Sequence, residues 1–242
     1  MYAIETFALT KHYKDVAAVS ELNLKIIEGE LFSLLGVNGA GKTTAIRMLS
    51  CLCKPTSGGA KLGGADLLTE CDRIKRMIAI SPQETAVAPN LTARENLELI
   101  AGINGFSKDK TQDKIDELSE RFGLSEILTR RAGKLSGGWQ RRLSIAMALI
   151  SEPSILFLDE PTLGLDVIAR SELWDVIRSL KGKTTIILTT HYMEEAEALS
   201  DRIGIMREGR LLSVGTATEI MKMTGQDRFE DAFVSVVRGT QI

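Results

Sequence analysis

Apolar and polar positions alternate through the first thirty residues, at Ala3, Ile4, Phe7 and Leu9 and again at Leu22, Leu24 and Ile26, which predicts short antiparallel strands. A turn at Glu28-Gly29-Glu30 changes the pattern. Leu31-Phe32-Ser33-Leu34-Leu35 is nearly continuous in apolar character, as expected of a strand buried on both faces of a parallel sheet. A glycine-rich turn follows, and from Thr43 the period becomes helical, with Ile46, Leu49 and Leu52 on one stripe and Pro55 with Gly58-Gly59 as the stop. Two further buried strands, Ser154 to Leu158 and Thr184 to Thr190, flank a helical stripe of Leu173, Val176, Ile177 and Leu180, which makes a βαβ unit. Between about 90 and 152 the chain reads as a mostly helical insertion. Thr92 to Glu95 fits a capping box, Leu97, Ile100 and Ile103 form one stripe, and Ile115, Leu118 and Phe122 form another. Ile203 to Met206 and Arg210 to Val214, around Glu208-Gly209, predict a hairpin, and Phe229, Phe233, Val236 and Val237 predict a short amphipathic helix from Asp227.

Composition narrows the function classes. The 242 residues are 44% apolar, ample for a core, and 30 Lys and Arg against 32 Asp and Glu leave a net charge of -2. That balance argues against nucleic acid as a partner, since phosphate-backbone binding is usually carried by a basic excess. No run of about 18 apolar residues occurs, and the first twenty residues mix charge with apolar pieces, so a soluble cytosolic chain without a signal peptide is expected. Cys51, Cys53 and Cys71 have neither a second pair nor a His cluster at metal spacing, and are expected to be reduced thiols.

Three motifs carry chemistry. Gly36-Val37-Asn38-Gly39-Ala40-Gly41-Lys42-Thr43 fits G-x-x-x-x-G-K-[ST] between a predicted strand and a predicted helix. The glycines let backbone N–H groups turn inward around phosphates, Lys42 reaches the terminal phosphates, and the Thr43 hydroxyl suits Mg²⁺. Leu156-Phe157-Leu158-Asp159-Glu160 puts two carboxylates at the end of a buried strand, where an open α/β sheet binds its ligand. Asp159 is placed to hold Mg²⁺ through its water shell, and Glu160 to polarise a water for attack on a γ-phosphate. Leu135-Ser136-Gly137-Gly138-Trp139-Gln140 opens a helical stripe of Leu143, Met147 and Ile150 with Ser136 at the N-cap, a second helix end suited to phosphate. With the first such site already formed by the glycine loop, a second copy of the chain is the natural user of this one.

Gly36 to Thr44, Leu135 to Gly138, Ile155 to Glu160, Pro161-Thr162-Leu163-Gly164-Leu165-Asp166 and Thr190-His191 together resemble the ATP-binding subunit of an ABC transporter. The resemblance spans nearly the whole chain, and its specificity lies in Leu-Ser-Gly-Gly standing upstream of the Asp-Glu strand. It implies an α/β fold, a P-loop NTPase of the ABC type, whose parallel sheet core carries an antiparallel β subdomain and a helical subdomain insertion. It further implies an ATPase domain over 1–225 with the insertion at about 87–152, and a short helical tail over 226–242. The expected cofactors are ATP and Mg²⁺. Carried over by position, Tyr13 stacks on the adenine, and Gly36 to Thr44 bind the phosphates. Thr43, Gln83 and Asp159 serve Mg²⁺, and Glu160 and His191 are catalytic. Ser136, Gly137 and Gly138 close over the nucleotide of a second subunit, and Asp166 passes information across that dimer.

The same resemblance implies ATP-driven closure and reopening of a dimer that powers a membrane pump, with a non-transport ABC ATPase as the alternative. His191-Tyr192-Met193-Glu194-Glu195-Ala196-Glu197 and Phe229-Glu230-Asp231-Ala232-Phe233 resemble the bacterial exporter branch. A separate transmembrane permease subunit, a second ATPase subunit in a homodimer, and a cytoplasmic location against the inner face of the membrane are the expected partners and place. Residues 84–105 are expected to receive the permease, with Val87, Leu91 and Leu97 either lining that groove or buried in the insertion's own core. Trp139, where the family often has Gln, and Leu163, where a small residue is common, depart from the pattern.

Overall fold

The computed structural model describes residues 1–239, so the last three residues of the tail lie outside the described residues. The N-terminal alternation becomes an antiparallel sheet built from β1 (Tyr2–Tyr13), β2 (Val16–Leu22) and β3 (Lys25–Ile27). After β4 (Leu31–Leu35) and α1 (Lys42–Leu49), the chain returns to that sheet with β5 (Ser57–Leu62) and β6 (Ala65–Asp66), in the order β2-β1-β5-β6 with β3 also on β1. Next come α2 (Cys71–Met77) and β7 (Ile78–Ser81), then α3 (Ala93–Ile103), α4 (Lys108–Phe122) and α5 (Gly137–Leu149). The remainder is β8 (Ile155–Asp159), α6 (Val167–Arg178), β9 (Thr185–Thr190), α7 (Met193–Leu199), β10 (Arg202–Arg207), β11 (Arg210–Gly215), α8 (Ala217–Thr224) and α9 (Phe229–Arg238).

The second sheet has the order β11-β10-β4-β9-β8-β7, and every pair in it is parallel except β10 with β11. Each position of β4, β8 and β9 is buried, as a parallel strand covered on both faces requires. The period of two divides those strands between two cores. Leu31, Leu156, Leu158, Ile186 and Leu188 face the helices α3 to α6, while Phe32, Leu34, Ile155, Phe157 and Ile187 face α1 and the antiparallel sheet. A third cluster seats the predicted tail helix. Phe229, Ala232 and Phe233 of α9 pack with Ile220 of α8 onto Leu35, Ile203 and Ile205, so this segment is part of the packed body.

Because β4, β9, β8 and β7 are parallel neighbours, their carboxyl ends lie along one edge. The segments that leave that edge carry, in spatial order, the glycine loop, His191, Asp159 with Glu160, and Gln83. Four residue groups far apart in sequence are thus brought together by strand order alone.

Several expectations need correction. Helix α1 ends at Leu49, with Cys51 at φ +59, so Leu52 is off the helix and exposed. Gly58 and Gly59 belong to β5; a Cβ at Gly58 would stand 2.2 Å from the Ala8 carbonyl oxygen, so glycine here permits close approach of β1 rather than ending a helix. Ile103 is exposed at the end of α3, outside the buried stripe of Ala93, Leu97 and Ala101. The capping box stands as read, with the Thr92 hydroxyl accepting from the Glu95 N–H and the Glu95 carboxylate accepting from the Thr92 N–H. The three cysteines are free, and burial pushes the Cys51 thiol up to about 12.

Candidate active site

A cavity of about 660 Å³ opens at the sheet edge, lined by Val16 to Ala18, Asn38 to Thr44, Gln83, Glu160, Leu163, His191 and Glu208. Its floor is the loop between β4 and α1. Gly41 holds φ +102, and a Cβ there would meet the Ala18 carbonyl oxygen at 2.4 Å; only glycine allows the loop to turn so tightly against β2. Helix α1 has no acidic residue in its first turn, so its N-terminal N–H groups face the cavity uncompensated. Lys42 is 4% exposed and donates to the carbonyl oxygens of Gly36 at 2.7 Å and Val37 at 3.3 Å.

The carboxylates behave differently. Asp159 Oδ1 accepts from Thr43 Oγ1 at 3.1 Å and from Thr189 Oγ1. Glu160 reaches in the opposite direction. Its Oε1 lies 3.4 Å from Lys42 Nζ and its Oε2 lies 3.0 Å from His191 Nδ1. Its backbone is held at φ +47, with the N–H donated to Thr189 O at 3.1 Å and Thr189 Oγ1 at 3.0 Å. A non-glycine residue in the left-handed region is strained by about 1–3 kcal/mol and persists only where its surroundings fix it.

Thr189 is one residue that sequence reasoning missed: its hydroxyl serves both Asp159 and the Glu160 backbone across the β8–β9 boundary. Arg141 was missed as well. Buried on α5, it donates from Nη1 and Nη2 to the carbonyl oxygens of Pro82 and Gln83, so the segment bearing Gln83 is pinned to the helix that Ser136 begins. The only signal for it was an Arg at a helix position that its neighbours Leu143 and Ser144 mark as buried.

Other expected residues stand apart from the cavity. Tyr13, at the end of β1, is 45% exposed and does not line it; its hydroxyl points to Cys53 Sγ at 3.9 Å, and Lys11 Nζ lies 5.1 Å from its ring centroid. Ser136 occupies the N-cap of α5, yet its side chain makes no cap hydrogen bond; Ser136 and Gly137 are exposed and Gly138 is half-buried. Neither Ser136, Gly137 nor Gly138 lines the cavity of its own chain. Asp166 caps α6, accepting from Ile168 N at 3.0 Å and Ala169 N at 2.9 Å. Leu97 is fully buried in the insertion's core, which removes it from any external groove, and Val87 packs on that same core.

Comparison with known proteins places this architecture. The family model described as ABC transporter matches residues 19–163. The chain is 42% identical over 229 residues to the daunorubicin resistance ATP-binding protein DrrA3 of Streptomyces coeruleorubidus, covering 94% of this chain and 72% of that one. It is 40% identical over 226 residues to the daunorubicin/doxorubicin resistance ATP-binding protein DrrA of Streptomyces peucetius, covering 93% and 68%. Among solved structures, an ATP-binding subunit of an ABC transporter superposes with a TM-score of 0.85 at 28% identity, covering 97% of this chain and 99% of that one. A dimer of the ATP-binding cassette MJ0796 in a post-hydrolysis state with ADP and Pi gives 0.80 at 28% identity, covering 88% and 98%. The chain therefore belongs to the ABC transporter family, as an ATP-binding and ATP-hydrolysing subunit.

Proposed function

We propose that the chain binds ATP at the glycine loop and hydrolyses it to drive a membrane export pump, with two copies sharing each nucleotide. The observation that carries this reading is the placement of Glu160 between Lys42 and His191 at the rim of the cavity. Backbone N–H groups of 38–44 and Lys42 suit a triphosphate, and Glu160 is the acceptor for a proton of the attacking water. His191 orients the Glu160 carboxylate and faces the γ-phosphate. The hard oxygen donors Thr43 Oγ1 and Asp159 Oδ1, 3.1 Å apart, fit Mg²⁺, with Gln83 as a third donor from the cavity wall. When bound, the ion neutralises phosphate charge. Tyr13 is read as the adenine platform, and the exposed Ser136 with the half-buried Gly138 as a lid for the nucleotide of the other copy. Binding then closes the dimer and phosphate loss reopens it.

Export is supported by the drug-resistance relatives; the domain limits proposed with it are 1–225 for the ATPase domain, about 87–152 for its helical insertion and 226–242 for the tail. Among the described residues no helix is long and apolar enough to cross a membrane. A separate permease subunit supplying the pore, with this chain on the cytoplasmic face, belongs to the same reading. Purification of the chain from its own locus in mild detergent tests the reading. It predicts a stoichiometric polytopic membrane protein in the complex and ATP turnover that Glu160→Gln lowers by about 10²–10⁴-fold. Recovery with soluble partners alone would overturn the export role.

A further inference from the structure

Glu195 stands on α7 four residues after His191, fully buried, and the reaction described above gives it no part. Its Oε1 accepts from Trp174 Nε1 of α6 at 3.1 Å. The same carboxyl faces the hydroxyls of Thr190 and Thr162, with Arg170 as a nearby cation. Thr190 Oγ1 already accepts the Tyr192 N–H at 2.9 Å, which leaves its own hydrogen free for Glu195.

The position of these partners gives the cluster its meaning. Thr190 directly precedes His191, Thr162 follows Glu160 by two residues, and Trp174 and Arg170 belong to α6, whose N-cap is Asp166. Tyr192 joins them from the side, its ring centroid 4.1 Å from that of His191 and 4.5 Å from the Arg170 guanidinium. Thr162 Oγ1, Arg170 Nε and Glu195 Oε2 are all buried without a hydrogen-bond partner in this arrangement. Three unsatisfied groups at one point make a socket that a small shift of the 162–166 segment or the His191 turn completes, and a network of that kind sets the register of what it joins.

We infer that Glu195 is a positioning residue for hydrolysis, tying the His191 turn, the segment after Glu160 and α6 into one unit so that both catalytic side chains meet the γ-phosphate together. The inference rests on the ATPase reading of the site.

Purified Glu195→Ala, Glu195→Gln and Thr162→Val chains test it by steady-state ATP turnover with Mg²⁺, binding of a fluorescent ATP analogue, and thermal melting. Misplacement of reacting groups predicts that Glu195→Ala loses about tenfold or more in kcat while KM for ATP moves by less than about twofold and binding stoichiometry is kept. Gln retains an acceptor for Trp174 and groups for the two hydroxyls, so Glu195→Gln stays within about threefold of the parent kcat. A folded Glu195→Ala chain with unchanged kcat overturns the inference. So does a kcat loss matched by loss of binding-competent protein, or failure of Gln to rescue. If Glu195→Ala does not fold, Thr162→Val decides: a kcat loss at constant KM supports the role, and an unchanged kcat overturns it. Undiminished turnover in a Glu160→Gln control overturns the site assignment itself, an outcome distinct from any confined to the Glu195 variants.

Discussion

Lys42 Nζ and Glu160 Oε1 lie 3.4 Å apart with side-chain exposures of 4% and 10%, joining the glycine loop to the end of β8 through a buried pair of opposite charges. The pair keeps Lys42 inside the loop and aims one Glu160 oxygen inward, leaving the other for His191. On the proposed reading a triphosphate would give Lys42 a stronger partner and free that inner oxygen, so that substrate binding prepares the base.

Replacing Lys42 by Met removes the cation from the phosphate cradle. Charged hydrogen bonds are worth about 1.5–3 kcal/mol, so ATP affinity falls roughly tenfold to a hundredfold. Equilibrium titration with a fluorescent ATP analogue checks this, and an affinity within twofold of the parent would place the phosphates elsewhere.

Glu160→Gln keeps the shape of the side chain and removes its basicity. Turnover falls by about 10²–10⁴-fold, the usual contribution of a general base, while ATP binding is retained. Single-turnover hydrolysis beside equilibrium binding separates the two effects.

Gly41→Ala asks a side chain to occupy φ +102 with its Cβ 2.4 Å from the Ala18 carbonyl oxygen. The loop or β2 must move, so nucleotide binding is lost and the melting temperature drops. Retention of both would mean that the backbone of this turn is not what shapes the cradle.

Burial pushes the Glu195 carboxyl above its ordinary range, opposed in part by the facing Thr190 and Thr162 hydroxyls, the Trp174 hydrogen bond and the charge of Arg170; Arg141 is a further cation in its field. An acid raised in the folded state contributes stability that is full below its unfolded value, about 4.3, and is lost as pH rises through the folded value. Glu195→Gln does not titrate. Its melting temperature relative to the parent therefore rises as pH rises above that unfolded value, and a constant or falling difference contradicts the assignment.

The strands of the parallel core and the residues at their ends were legible because full burial leaves continuous apolar runs and phosphate chemistry demands glycines and a Lys at fixed spacing. What escaped was decided by other signals. Helix α2 buries only Ile74 of its seven residues, so it shows no stripe, and β7 is four residues long. Strand β5 begins Ser-Gly-Gly and reads as a turn, although its glycine serves the close crossing of β1. Helix α8 starts on a capping box of Thr216 and Glu219 but, at eight residues, is too short to show a period. At the site, the motif positions were visible one by one. The roles of Thr189 and Arg141 were not, since each depends on which strand or loop lies alongside, and that is set by the order β4-β9-β8-β7.

In the proposed dimer the nucleotide is held by Lys42 of one copy and by the Ser136 to Gly138 turn of another. Mixing a Lys42→Ala chain with a Gly138→Asp chain tests it most directly, because only a mixed dimer with a shared site combines an intact glycine loop with an intact turn. Each variant alone should be inactive and the mixture should regain ATP turnover. A mixture as inactive as its components would contradict the shared site and return the reaction to a single chain.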